Sequence, residues 1–118
     1  MAWTVELHPD FVPEVLDLSA DVRRELAAQA TVLEMFGPSA RRPRVDTLKG
    51  SQHGNMKELR FDADGGVWRV AFAFDPERKA VLLVAGDKSG VRQSKFYKRL
   101  IAVADARFSA HLEGLRRN

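Results

Sequence analysis

Two arginines on neighbouring strand-like segments, Arg60 and Arg69, follow a basic stretch that holds Arg41, Arg42, Arg44, Lys49, His53 and Lys57. A guanidinium stays charged at any physiological pH and grips phosphate oxygens in a fork. A sheet gains nothing from two such groups unless their face meets solvent or an anion, so the pair points to a phosphate-binding surface. Strand alternation sharpens the expectation. In Lys57–Asp62, Leu59 and Phe61 share one face while Glu58 and Arg60 share the other. In Val67–Phe74, Trp68, Val70, Phe72 and Phe74 share one face and Arg69, Ala71 and Ala73 the other. The bulky set is expected to pack on helices. Arg60 and Arg69 would then stand over the small floor of Ala71 and Ala73 as a concave, cationic trough. The competing arrangement is a solvent-facing sheet with a cross-strand Glu58–Arg69 pair, which stabilises by only on the order of a few tenths of a kcal/mol.

The elements that must position these residues are legible in the periodicity. Trp3–Leu7 alternates apolar and polar residues and reads as a short edge strand ended by Pro9-Asp10. Asp10 can cap a short helix over Phe11–Leu18. Ser19 caps a stronger helix, in which Val22, Leu26, Ala30 and Leu33 recur every three or four residues and Gly37-Pro38 forms the stop. Ser39–Asn55 carries Pro43, Gly50, Gly54 and clustered charge without a period, which reads as a long loop of the kind that is often functional. Strands are expected over Lys57–Asp62, Val67–Phe74 and Val81–Ala85, the last nearly all apolar and hence central. Ala63-Asp64-Gly65-Gly66 supplies the first hairpin turn and Asp75-Pro76-Glu77-Arg78 the second. Phe96, Leu100, Ala104, Phe108 and Leu112, spaced by four, mark a final helix from about Ser94 towards Leu115. The order is β-α-α-β-β-β-α. The expected fold class is α+β: an N-terminal short strand and helical hairpin, a three-stranded antiparallel meander and a C-terminal helix, in one domain over residues 1–118.

Composition narrows the function classes. The chain has 118 residues, a net charge of +3 and no cysteine, which excludes disulfides, thiolate nucleophiles and Cys-ligated metals. His8, His53 and His111 have no metal-ligand spacing, so neither a metal nor any other cofactor is expected. No apolar run approaches the roughly 20 residues of a membrane span. The N-terminus has no signal-peptide pattern, and a cytoplasmic location is expected. The charge is uneven: Arg41–Arg60 holds six Lys/Arg against two acids, while the remainder is close to neutral. Such one-sided basicity is the footprint of a polyanionic partner. Gly86-Asp-Lys-Ser-Gly90 lacks the glycine spacing of a phosphate-binding P-loop.

Three segments, Leu48-Lys-Gly-Ser-Gln-His-Gly-Asn-Met-Lys-Glu-Leu-Arg60, Val67-Trp-Arg-Val-Ala-Phe-Ala-Phe74 and Val81-Leu-Leu-Val-Ala-Gly-Asp-Lys88, resemble the RelE/ParE superfamily of bacterial type II toxins. Within it they are similar to the HigB-type, phage-derived branch. The resemblance spans nearly the whole chain. It implies a small α+β toxin that enters the ribosomal A site and cuts mRNA there without metal, as an endoribonuclease that arrests translation. It places Lys57, Arg60, Arg69 and Lys88 in the site. Lys88 stands where HigB-type chains carry a lysine-rich segment, here reduced to one lysine. The tyrosine that RelE proper carries near the chain end has no counterpart, since the sole Tyr97 is early in the last helix. Implied partners are mRNA, the ribosome and a cognate antitoxin with a helix-turn-helix DNA-binding domain, through which alone the toxin would meet DNA. No membrane partner is implied.

Metal-free cleavage needs a base for the 2′-hydroxyl, a cation for the phosphorane and an acid for the 5′-oxygen. Arg60 and Arg69 suit the second role. Lys57 or His53 could be the base, and Lys88 or Tyr97 the acid. Alternation puts Lys57 on the Leu59 face, opposite Arg60, in tension with the resemblance. Arg41, Arg42, Arg44 and Lys49 are expected to hold RNA phosphates. Two other functions fit the same scaffold: a ParE-like toxin that binds DNA gyrase or another protein without cutting, and a non-toxic RNA-binding module.

Overall fold

The computed structural model describes residues 3–117. Five strands form one sheet in the order β1-β5-β4-β3-β2. They are β1 (Thr4–Leu7), β2 (Val45–Thr47), β3 (Lys57–Ala63), β4 (Gly66–Phe74) and β5 (Lys79–Asp87), with helices α1 (Val12–Leu16), α2 (Ala20–Phe36) and α3 (Gln93–Arg117). The α+β expectation holds. The edge position of β1 holds as well, with β1 running parallel to β5; the middle strand is β4, and β5 is flanked on both sides only over Lys79–Leu82. One strand escaped the sequence: β2 lies inside the supposed loop, paired antiparallel to β3. Three residues are too few to display a period, and Pro43 and the surrounding charge hide it further.

Local chemistry fixes the turns. Asp64 and Gly65 link β3 to β4 with φ of 51° and 75°, the double positive φ of a type I′ turn, whose twist matches the strands it joins. Ser19 accepts the Val22 amide at 3.2 Å and caps α2. At the other end of α2, Gly37 has φ +52°, and a Cβ there would run into the Trp3 ring.

The sheet is covered on both faces. Leu59, Phe61, Val70, Phe72 and Leu82 pack with Phe11, Val22, Leu26 and Leu33 on the α1/α2 side. Ala71, Ala73, Val81 and Leu83 pack with Phe96, Leu100, Ala104 and Phe108 of α3. The open trough over Ala71 and Ala73 is therefore corrected: both alanines are fully buried beneath α3. Small residues there let a helix approach closely, and the apolar stripe of α3 needs a sheet face to cover. Only the end of that face nearest the α3 N-terminus stays open. Among the described residues, no helix is long and apolar enough to cross a membrane.

Candidate active site

The open end is built by cross-strand register. Arg60 lies directly opposite Arg69, and Arg69 opposite Gly86. Asp46 of β2 lies opposite Glu58, so it shares the Arg60 face. Gly86 leaves room for α3: a Cβ there would stand 2.9 Å from the Phe96 ring. The seating of Phe96 brings the next residue, Tyr97, over the sheet. Its hydroxyl donates to Glu58 Oε1 at 2.8 Å and accepts from Arg69 Nε at 3.3 Å.

A cleft of about 390 Å³ opens above this group. Its walls carry four cations (Arg42, Lys49, Arg60 and Lys88), the carboxylates of Asp46 and Glu58, the Tyr97 phenol and the Gln93 amide. Asp46 is occupied, 3.2 Å from Arg42 Nε and 3.9 Å from Arg60 Nη1. Its carboxyl is held below the ordinary range, first by the Thr47 amide and then by these two guanidiniums. The Lys88 ammonium is pushed down, mainly by burial and further by Arg69 and Arg60, against the attraction of Glu58. The Tyr97 phenol is pushed up by burial and by its bond to Glu58. At neutral pH Tyr97 is thus a fixed hydrogen-bond donor, while Lys88 gives up its proton more readily than an exposed lysine.

The residues expected from sequence divide sharply. Arg60, Lys88, Lys49 and Arg42 meet in the cleft, with the Arg60 side chain 33% exposed. Arg69 does not line it. Its side chain is 7% exposed, lies 3.4 Å from Glu58 Oε1 and donates to the Trp68 carbonyl. The Glu58–Arg69 pair weighed against the trough is present, buried rather than solvent-facing. The open face expected for Arg69 is therefore corrected: its guanidinium packs against Glu58 and Tyr97 and does not line the cleft.

Lys57 lies opposite Phe72, on the α1/α2 side, and lines an adjoining cleft with Arg41; the two clefts share Arg42, Asp46 and Thr47. The β3–β4 register is unbroken there, so Lys57 takes the face that alternation assigns, opposite that of Arg60. His53 is also remote. Its Nε2 meets the Ser109 hydroxyl at 2.9 Å and its ring packs edge-on against Phe108. Ser109 lies twelve residues beyond Tyr97, about 18 Å along the helix. Arg41 and Arg44 flank a groove beside Val32 and Phe36. The sequence pattern did not single out Glu58 as a site residue, although it shares the Arg60 face, and it offered Tyr97 only as an acid.

Residues 13–109 match the family described as phage derived protein Gp49-like (DUF891). The chain belongs to the phage-derived Gp49-like family. Two relatives of this Gp49-like chain in Mycobacterium tuberculosis carry the toxin names HigB2 and HigB3. Identity to HigB2 is 48% over 86 residues, covering 72% of the chain, which spans 42% of the length of that relative. Identity to HigB3 is 42% over 90 residues, covering 76% of each. The Gp49-like chain also shares its fold with two solved structures. One is the free state of an Escherichia coli toxin RelE mutant in which two arginines are replaced by alanine (TM-score 0.56, 13% identity, 86% of this chain and 96% of that one). The other is the RelE–RelB complex of Pyrococcus horikoshii OT3 (TM-score 0.56, 20% identity, 77% of this chain and all of that one).

Proposed function

We propose that this chain is the toxin of a type II toxin–antitoxin pair and that it acts in the cytoplasm as a ribosome-dependent endoribonuclease cutting mRNA without metal. The observation that carries the reading is the cleft itself, where Arg60, Lys49 and Lys88 surround a carboxylate fixed by Tyr97 and Arg69. The toxin names of the HigB2 and HigB3 relatives and the likeness to the RelE fold support it. In this reading Glu58 takes the 2′-hydroxyl proton as that oxygen attacks phosphorus. Arg60 and Lys49 stabilise the charge on the non-bridging oxygens. Lys88 protonates the departing 5′-oxygen, leaving a 2′,3′-cyclic phosphate and a free 5′-hydroxyl. A cognate antitoxin, which the reading expects to carry a helix-turn-helix domain, would block the cleft or its approach to the ribosome.

Induction in bacteria followed by primer extension tests this. New mRNA ends within codons and rapid translation arrest are expected. Arg60→Ala should slow cutting by about 10²–10³-fold, the usual loss for one transition-state donor. DNA damage signalling or altered supercoiling with intact mRNA would transfer the chain to a gyrase-binding class.

A further inference from the structure

We propose that the unpaired half of β5 is a docking edge for an extended, acidic segment of a protein partner, which would add to the sheet as a sixth strand beside β5. This proposal does not depend on the chemistry assigned to the cleft.

β1 pairs with β5 only over Lys79–Leu82. The chain then leaves the sheet: the His8 amide bonds Leu82 O, and Arg107 caps Leu83 O at 2.7 Å while clamping Glu14 of α1 with both terminal nitrogens. Beyond this clamp β5 continues to Asp87 with β4 on one side only. The Lys88 amide donates to Val67 O at 2.8 Å. Antiparallel alternation therefore turns Gly86 and Val84 towards β4 and leaves the N–H and C=O of Ala85 and Asp87 facing outward. Among the described residues nothing bonds them. Burial falls off along this half: Ala80–Leu83 are buried, whereas Val84, Ala85 and Gly86 are only half-buried and Asp87 is exposed.

The outward edge borders a groove of about 320 Å³ floored by Phe96, Leu100 and Val103, with Val91 at one end 42% exposed. Asp87, at the same end, is tied to the Val67 and Ser89 amides. Lys95 and Arg99 form the rim, and Arg92 and Lys98 stand beside them. These four cations are exposed and make no ion pair among the described residues. The first turn of α3 holds no acid, so Lys95 there opposes the helix dipole uncompensated. An open strand edge invites pairing, and flanking positive charge rejects a second copy of this chain while attracting an acidic strand. The match is to strand addition, in which main-chain hydrogen bonds give affinity and a groove for alternate side chains gives selectivity. RNA would use the cations but leave the apolar floor and the backbone pairs idle.

The test titrates the ¹⁵N-labelled full chain with a blocked peptide, Glu-Glu-Val-Thr-Val-Glu-Glu, and with its counterpart in which every Glu is Lys. Only the acidic peptide should bind, slowing amide exchange of Ala85 and Asp87 and leaving α2 unchanged. Methylating the backbone nitrogen of its central residue should abolish binding without touching the protein. The double variant Lys95→Glu, Arg99→Glu should weaken the acidic peptide by about tenfold or more. The proposal is overturned if neither peptide binds, if protection maps to β2, or if an oligouridine protects Ala85 and Asp87 where the peptide does not.

Discussion

Lys88 carries a conflict between stability and chemistry. Burial and the two guanidiniums lower its affinity for a proton in the folded chain. Between that lowered pKa and the ordinary lysine value of 10.5, the unfolded chain binds more protons than the folded one, so stability rises with pH across that window. Below the lowered pKa the lysine is charged in both states and its full penalty applies. Lys88→Met removes the penalty and keeps the aliphatic stem. It should raise the urea midpoint at pH 7, flatten the rise in stability towards pH 10, and abolish mRNA cutting. An unchanged or lowered midpoint would mean that Lys88 is not strained by its neighbours. Tyr97 makes the complementary case. Tyr97→Phe deletes the donor to Glu58 Oε1 and the acceptor for Arg69 Nε in a half-buried site. A loss of about 1 kcal/mol in chemical denaturation is expected, because each partner loses one hydrogen bond while Glu58 and Arg69 keep each other. Cutting should fall with it, since Glu58 loses its orientation.

At the scale of elements, the site depends on how closely α3 approaches β5, and Gly86 sets that distance. Gly86→Ala would place a methyl 2.9 Å from the Phe96 ring, tighter than real contacts allow, so the helix start must shift. The expected cost is about 1–3 kcal/mol, as for other overpacked contacts. Tyr97 near-ultraviolet circular dichroism should change while far-ultraviolet ellipticity does not. The same geometry explains what the sequence could tell. Alternation in β3 and β4, the Asp64-Gly65 turn and the four-residue stripe of α3 were legible because each follows from strictly local periodicity. Alternation also placed Lys57 on the face where it is found. Three things were not local. The stripe of α3 does not announce which sheet face it will cover, so Ala71 and Ala73 looked like an open floor. Arg69 looked like a free cation for the same reason: its burial against Glu58 and Tyr97 requires a helix that begins 24 residues later. His53 looked catalytic by type, yet the Ser51–His53 loop is pinned to α3 through Asp105 and Ser109.

Across the whole molecule, 41 × 29 × 27 Å in extent, positive charge is divided between two surfaces with different expected partners. Arg42, Lys49 and Arg60 line the cleft, and Arg41 and Arg44 border an adjoining groove. Lys95 and Arg99 line the β5 edge instead. Phosphate contacts made by the first group release counterions, so log K for a single strand should fall with log salt by about 0.7 per phosphate neutralised. Arg41→Ala with Arg44→Ala removes two such contacts without touching Glu58, Arg60 or Lys88. The slope should drop by about 1.4, and weaker ribosome-free RNA binding should follow, while the rate of cutting at saturating ribosomes stays at the wild-type value. Lys95→Glu with Arg99→Glu changes the net charge by −4, twice as much as the alanine pair. Were binding governed by total charge, that variant would lose the most RNA affinity. If the cleft side alone engages phosphate, its salt slope stays at the wild-type value and only affinity for an acidic strand is lost. The comparison of the two slopes thus separates a generally sticky basic protein from one whose two basic faces bind different polymers.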